Sequence, residues 1–272
     1  MIEYLWLGRM GYDEALELQR ELVELRHRGL VDNVLLLLEH PPVLTLGRNA
    51  RRSNILATDA MLAAKGVTVH EINRGGDVTY HGPGQLVGYP IFDLRSLRNS
   101  KGGRLGPVDY VRLVEEALIR VCAGFGVLTG RIAGRTGVWT HNAPEKKVGA
   151  IGVHVSRGIT SHGFALNVTT DLRDFQWIVP CGIADREVTS LAVETAGKDE
   201  LPALEQVANV AARCFGQVFQ EQVLAVGSLE DLRAQAGERE AAPVVGVPVR
   251  VPEELRRLRD LDGEALERPT EG

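Results

Sequence analysis

Three short segments of this 272-residue chain carry side chains whose types and spacing could do chemistry. The densest is Arg74-Gly75-Gly76-Asp77-Val78-Thr79-Tyr80-His81-Gly82-Pro83-Gly84-Gln85, with four glycines in twelve residues. Backbone so rich in glycine can approach a ligand closely or take positive φ, and its N–H groups can cradle an oxygen-rich ligand. It is not a dinucleotide fingerprint, because Gly82-Pro83-Gly84 lacks the third glycine and opens a strand rather than a helix. Nor does Gly197-Lys198, followed by Asp199, make a phosphate loop. The plainer reading is a Gly-rich connection between two strands.

The second segment is Lys146-Lys147-Val148-Gly149-Ala150-Ile151-Gly152. A lysine pair at a strand start is usually a solvated edge. Here the basic residues are strongly biased: Lys65, Lys101, Lys146, Lys147 and Lys198 are the only lysines, and the other 26 basic residues are arginines. A guanidinium keeps its proton in proteins, whereas an ammonium can be tuned into an acid or base. A lysine retained against that bias is a candidate for proton transfer.

The third is Ile178-Val179-Pro180-Cys181-Gly182-Ile183. Cys122 and Cys214 fall in apolar helical stretches and read as inert core thiols. Cys181 sits between Pro and Gly in a loop, where packing does not account for it and where catalytic groups concentrate. A nearby cation would favour its thiolate. Three separated cysteines form neither a disulfide framework nor a CxxC metal pair, and the spacings of His81, His154 and His162 fit no zinc pattern. His154 and His162 read as edge positions beside a hairpin turn. His81 is the best placed to bond a substrate carbonyl or a catalytic group.

These segments need a scaffold. Hydrophobic spacing predicts a helix over 12–28, strands at 34–38 and 43–47, a short helix at 59–65, strands at 67–72 and 86–94, and a helix at 108–124. Strands at 148–155 and 161–168 flank the turn Ser156-Arg157-Gly158, and a long helix covers 204–223. Strands and helices do not alternate regularly, so the expected fold is α+β with a mixed or mostly antiparallel sheet. From Gly227 the composition turns to Glu, Arg, Pro and Ala, which predicts a catalytic domain over 1–225 and a partly mobile extension over 226–272. That extension is expected to have room for one small helix around Leu255, Leu258 and Leu261 and to be dispensable for chemistry.

With 44% hydrophobic and 25% charged residues the chain can bury a sizeable core. A formal charge of −5 argues against a generic nucleic-acid binder. The apolar run Val34-Leu35-Leu36-Leu37-Leu38 is far short of a membrane span, and the start Met1-Ile2-Glu3-Tyr4 lacks signal-peptide character. The expectation is a cytoplasmic protein with no membrane or nucleic-acid partner.

The stretch from Arg74 through Gly84-Gln85-Leu86-Val87-Gly88-Tyr89-Pro90 resembles the signature of the lipoyl(octanoyl) transferases. Lys147-Val148-Gly149-Ala150-Ile151-Gly152, Ser161-His162-Gly163-Phe164-Ala165-Leu166-Asn167-Val168 and Pro180-Cys181-Gly182 follow in that family's order. The resemblance spans residues 1–223 and leaves the tail outside. It implies a fold like that of biotin and lipoate protein ligases, with no cofactor and no metal. It implies transfer of an octanoyl or lipoyl group from acyl carrier protein to a lysine, as the first step of endogenous protein lipoylation. The implied acceptors are lipoyl domains of 2-oxoacid dehydrogenase complexes and glycine cleavage H protein.

In such enzymes a cysteine carries the acyl group as a thioester, which points to Cys181, and a lysine lowers its pKa and handles protons, which points to Lys147. Acyl binding is implied for Arg74, Gly75, Gly76, Asp77, Val78, Thr79, Tyr80 and His81, for Ala150, Ile151 and Gly152, and for Gly163, Phe164 and Ala165. The glycines on both strands are expected to leave room for the eight-carbon chain. Arg48, Arg51, Arg52 and Arg74 offer a docking patch for acidic carrier domains. Two alternatives remain: an ATP-using ligase of the same fold, which needs no cysteine nucleophile, and a non-catalytic carrier-protein adaptor.

Overall fold

The computed structural model describes residues 1–99, 102–179, 187–196 and 203–242. Cys181 with its neighbours Pro180 and Gly182, and the leucines at 255, 258 and 261, lie outside the described residues. In chain order the elements begin β1 (Ile2–Arg9), α1 (Tyr12–His27), β2 (Asn33–Glu39), β3 (Val43–Leu46), α2 (Asp59–Ala64), β4 (Thr68–Glu71), β5 (Val78–His81) and β6 (Gln85–Ile91). They continue with α3 (Pro107–Gly124), β7 (Thr129–Ile132), β8 (Arg135–Thr140), β9 (Lys147–Ser156) and β10 (Ile159–Asn167). The last are α4 (Leu191–Glu194), α5 (Leu204–Phe219), β11 (Val223–Ala225) and α6 (Leu229–Ala241).

Eight strands form one mixed sheet in the order β11-β1-β2-β6-β10-β9-β8-β7, and β4-β3-β5 form a second, smaller sheet. The α+β expectation with a mixed sheet holds. The hydrophobic run in β2 is buried on both faces, which explains why it reads as continuous leucine rather than as an alternation. Leu35 and Leu37 face a core with α3 and α5, while Val34, Leu36 and Leu38 face a core with α1 and α6. Successive strand side chains point to opposite faces, so one pentapeptide serves both layers. The smaller sheet closes on a third cluster, in which Leu44, Val78 and Tyr80 meet Phe175 and Ile178.

Several elements differ from the sequence expectation. Ile2–Arg9 is a strand, parallel to both β2 and β11; its partners are far apart in sequence and supply no local turn signal. Val78–His81, expected to lie inside a loop, pairs antiparallel with β3. The β7–β8 hairpin adds two strands beyond β9. The long C-terminal helix stops at Phe219, where Gln220 takes a left-handed φ of 56°, and the chain then adds β11. The segment after Gly227 begins with α6, whose Leu232 and Ala236 are buried against α1. Arg233 grips Glu21 with two hydrogen bonds of 2.8 and 2.7 Å.

Candidate active site

A cavity of about 220 Å³ opens between the two sheets. Arg74, Gly76, Asp77, Val78, Thr79 and His81 line one side. Lys147, Ala150, Ile151, Gly152, Gly163, Phe164 and Ala165 line the other. The register of β9 and β10 explains the second group, since Ala165 pairs Ala150, Phe164 pairs Ile151 and Gly163 pairs Gly152. Segments far apart in sequence thus converge because adjacent strands carry them.

Two of the eight residues from Arg74 to His81, Gly75 and Tyr80, do not line the cavity. The Gly75 N–H donates to Val153 O at 3.0 Å, tying the loop to β9. Strand alternation sends Tyr80 into the third cluster, where its ring meets Phe175 and Trp177 edge-on and its hydroxyl donates to Asp174 Oδ2 at 2.6 Å. Burial and the Asp174 carboxylate push that phenol's pKa up.

Arg74 is only 8% exposed. Its guanidinium donates to Thr45 Oγ1 at 3.2 and 2.8 Å, to Thr45 O at 2.7 Å and to Gly75 O at 3.0 Å. It therefore braces the loop and cannot join a surface docking patch. Arg48, Arg51 and Arg52 are exposed, with Arg52 paired to Asp59 at 2.8 Å. The loop can lie on β3 because Gly47 has no side chain: a Cβ there would stand 2.5 Å from Gly76 O. Asp77 accepts from Val78 N and from Asn54 Nδ2, both at 2.7 Å.

The glycines do a different job from the one expected. A Cβ at Gly163 would sit 2.1 Å from Gly88 O, and one at Gly152 would sit 2.8 Å from Gly75 O. The space these glycines save is filled by neighbouring backbone rather than left for an acyl chain. They allow close approach of strand to strand and of loop to strand.

A chain of amides orients His81. Asn167 Nδ2 donates to Thr189 O at 2.9 Å, which leaves Asn167 Oδ1 to accept from Gln85 Nε2 at 2.9 Å. Gln85 Nε2 also donates to Tyr80 O at 3.2 Å, so Gln85 Oε1 must accept from His81 Nδ1 at 2.8 Å. Both backbone carbonyls accept only, so the polarity of the whole chain is determined. His81 Nε2 carries the lone pair, has no hydrogen bond among the described residues and is not sealed from the cavity. In the neutral ring it accepts, so of the two partners expected of it, it suits a catalytic group bearing an N–H or S–H rather than a substrate carbonyl oxygen. Burial, then the neighbouring His40, lowers the His81 pKa to about 3 and keeps the ring neutral.

Sequence reasoning passed over several wall residues. Tyr12, Tyr89, Trp139 and His162 all line the cavity. His162 is 3% exposed with a left-handed φ of 54°, which takes it off the hairpin edge expected of it. Its N–H donates to Gln19 Oε1 at 2.8 Å, and its Nε2 meets Asn73 Oδ1 at 2.7 Å. Tyr12 comes from the start of α1 and the other three from strands of the large sheet; Tyr89 and His162 lie within the family-like segments, whereas no local pattern marks Tyr12 or Trp139.

Lys146 and Lys147 part company. The Lys146 ammonium leaves the cavity to pair with exposed Glu187 at 2.7 Å. Lys147 lines the cavity with Nζ 4.7 Å from the Trp139 ring centroid. Chain following the undescribed residues 180–186 returns beside it: Lys147 N donates to Glu187 O at 2.9 Å and Thr189 N to Lys147 O at 2.8 Å. Before those residues, Val179 N donates to Asn54 O at 2.8 Å, and the Asn54 side chain bonds Asp77 of the cavity. Among the described residues no three His, Cys, Asp or Glu are grouped to hold a metal, and no helix is long and apolar enough to cross a membrane.

The two sheets and their helices define a lipoate-protein-ligase-like fold. A bipartite archaeal lipoate protein ligase from Thermoplasma acidophilum superposes with a TM-score of 0.63 at 18% identity, covering 87% of this chain and 90% of that one. Lipoate-protein ligase A bound with ATP gives 0.62 at 16% identity, covering 88% and 94%. The sequence matches the lipoyl protein ligase A/B catalytic domain over residues 11–216. Proteins named octanoyltransferase are 66% identical over 85% of this chain and 96% of their own length in Acidobacterium capsulatum. In Koribacter versatilis the identity is 53%, over 96% of this chain and 98% of the relative. The chain belongs to the lipoyl protein ligase A/B family, in its lipoyl(octanoyl) transferase branch, and is an acyltransferase.

Proposed function

We propose that this chain moves an octanoyl group from acyl carrier protein to a lysine of a lipoyl domain or H protein, through a thioester on Cys181. The observation that carries this reading is the placement of Lys147. It stands on the cavity wall, and the chain that returns after Cys181 is hydrogen-bonded to its backbone. The other end of that segment is tied through Asn54 to Asp77. Both flanks of the cysteine are therefore moored at the cavity.

The chemistry proceeds in two exchanges. The Cys181 thiolate attacks the donor thioester, a new C–S bond forms, the old one breaks, and the departing thiolate takes a proton from Lys147. The acceptor lysine's neutral amine then attacks the acyl-enzyme; C–N forms, C–S breaks, and the surplus amine proton returns to Lys147. Thioester exchange is nearly isoenergetic and amide formation runs downhill, so no ATP is called for.

The test is mass spectrometry after incubation with octanoyl carrier protein. One octanoyl mass on Cys181, released by hydroxylamine, is expected. An adduct on Cys122 or Cys214, full transfer by Cys181→Ser, or product from free octanoate and ATP would refute the scheme. Cys122 is the less plausible rival, since burial pushes its thiol pKa up to about 12.

A further inference from the structure

The contact between Lys147 and Trp139 is built rather than incidental. The two residues are cross-strand partners on β9 and β8, next to a register shift between Val138 and Trp139. Trp139 is 2% exposed, so its ring cannot swing into solvent. Its Nε1 has no hydrogen-bond partner among the described residues, where packing holds the indole. Gly137, two residues earlier, has a φ of +125°. A side chain there would start 2.7 Å from Gly149 O, 3.5 Å from Lys147 Cε and 3.7 Å from Trp139 Nε1. It would grow into the space between the lysine stem and the indole.

That glycine is itself anchored. Its N–H donates to Glu115 Oε1 at 3.0 Å, and Glu115 is a fully buried carboxylate of α3. The other oxygen of Glu115 pairs with Arg112 at 2.6 Å and with Arg131 at 3.1 Å. A helix side chain thus sets the backbone that leaves the slot, and the strand pairing sets the ring.

We propose that Trp139 is a positioning residue: its indole face, with the slot left open at Gly137, holds the Lys147 ammonium at the cavity wall. A cation over a tryptophan face is attracted by the ring quadrupole, and the attraction grows where water is excluded. A long lysine side chain loses several rotamers when it is fixed. The ring offsets part of that loss before any substrate arrives. That this placement speeds a reaction rests on the acyl-transfer reading above; the clamp itself does not.

The experiment uses the full chain with ¹³C-labelled lysine, whose five lysines make a small, assignable set. In the wild type the Lys147 ε-CH₂ protons should lie upfield of the other four, shielded by the ring current. Trp139→Phe should keep part of that shift, and it breaks no hydrogen bond. Trp139→Leu should lose it. Octanoyl transfer at saturating carrier should fall on the order of tenfold in Trp139→Leu, within the range a desolvated cation–π contact spans. The KM for octanoyl carrier should stay unchanged, and Trp139→Phe should remain within about threefold. Should the leucine variant not fold, Trp139→Met replaces it, filling similar volume without a π face.

A wild-type Lys147 signal among the other lysines overturns the proposal. So does a leucine or methionine variant that loses the shift yet transfers at the wild-type rate. A wild-type protein that shows the shift but transfers no octanoyl group supports the clamp and counts against the acyl-transfer reading alone.

Discussion

The backbone N–H of Thr189 donates to the carbonyl of Lys147 at 2.8 Å, and the same Thr189 accepts from Asn167 through its own carbonyl at 2.9 Å. One residue therefore joins the lysine strand to the amide chain that orients His81. The Lys147 side chain lines the cavity while that of Lys146 pairs with exposed Glu187, so the two neighbouring lysines are separable by mutation. Lys147→Arg keeps a positive charge at the wall but cannot give up a proton at neutral pH. It should lose acyl transfer on the order of a hundredfold, the scale of general acid–base catalysis. Lys146→Arg retains the partner Glu187 on the other face and should be nearly silent. Transfer rates of both variants check this, and equal small effects would remove the lysines from the mechanism.

Three buried histidines give stability a definite pH dependence. Burial is the main cause that lowers His40 to about 4, His81 to about 3 and His162 to about 4. In the unfolded chain each titrates near the ordinary 6.5. Between pH 6.5 and about 4 the unfolded state binds more protons, so stability falls as the pH falls. Each group contributes a slope of up to roughly 1.4 kcal/mol per pH unit within that window. Tm should drop steeply between pH 6.5 and 4.5 and change little above 7.5. A flat Tm from pH 7 to 5 would contradict this.

Gly88 and Phe164 are cross-strand partners, and a Cβ at Gly88 would lie 2.2 Å from two atoms of the Phe164 ring. That ring stacks on Phe215 at 5.4 Å, so it cannot retreat without disturbing α5. Gly88→Ala should destabilise the fold by about 1–3 kcal/mol, as overpacking does. Thermal unfolding measures it. An unchanged Tm would show that the sheet yields at this point.

Removal of the C-terminal segment should depend on where the cut falls. Truncation after Ala242 keeps α6 with its core residues Leu232 and Ala236 and its Arg233–Glu21 pair, and transfer should stay within a few-fold of the full chain. Truncation after Ala225 strips Leu232 and Ala236 from the core and breaks the Arg233–Glu21 pair. Burying one leucine is worth about 1.5–3 kcal/mol, so Tm should fall measurably. Equal Tm values for the two truncations would mean that α6 adds nothing.

Much of the cavity is legible in the sequence, because strongly local signals mark it. Four glycines between Arg74 and Gln85, the lysine that survives a bias to arginine, and the glycines of β9 and β10 are visible as residue types. The hydrophobic periods of α1, α3 and α5 also read correctly, with boundaries shifted by a few residues at most. What misled were inferences about purpose. Glycines at 152 and 163 looked like room for a ligand, whereas their missing side chains admit Gly75 O and Gly88 O. Arg74 looked like a surface cation, whereas its buried guanidinium donates to Thr45 Oγ1, Thr45 O and Gly75 O.

The sequence by itself determined the α+β class through its hydrophobic patterning and the family through its resemblance to the lipoyl(octanoyl) transferases, and it nominated Cys181 and Lys147 for the proposed acyl transfer, since all of these are properties of the chain alone. Only the tertiary structure decided which of those residues meet. The strand Ile2–Arg9 is held by partners more than twenty residues away on either side, Tyr80 is turned out of the cavity by the parity of β5, and Trp139 is set over Lys147 by a register shift. The proton on His81 is assigned through Gln85 and Asn167 to a carbonyl at position 189. Each of these follows from pairing across long loops, and no local pattern encodes a register that is chosen by burial on both faces of a sheet.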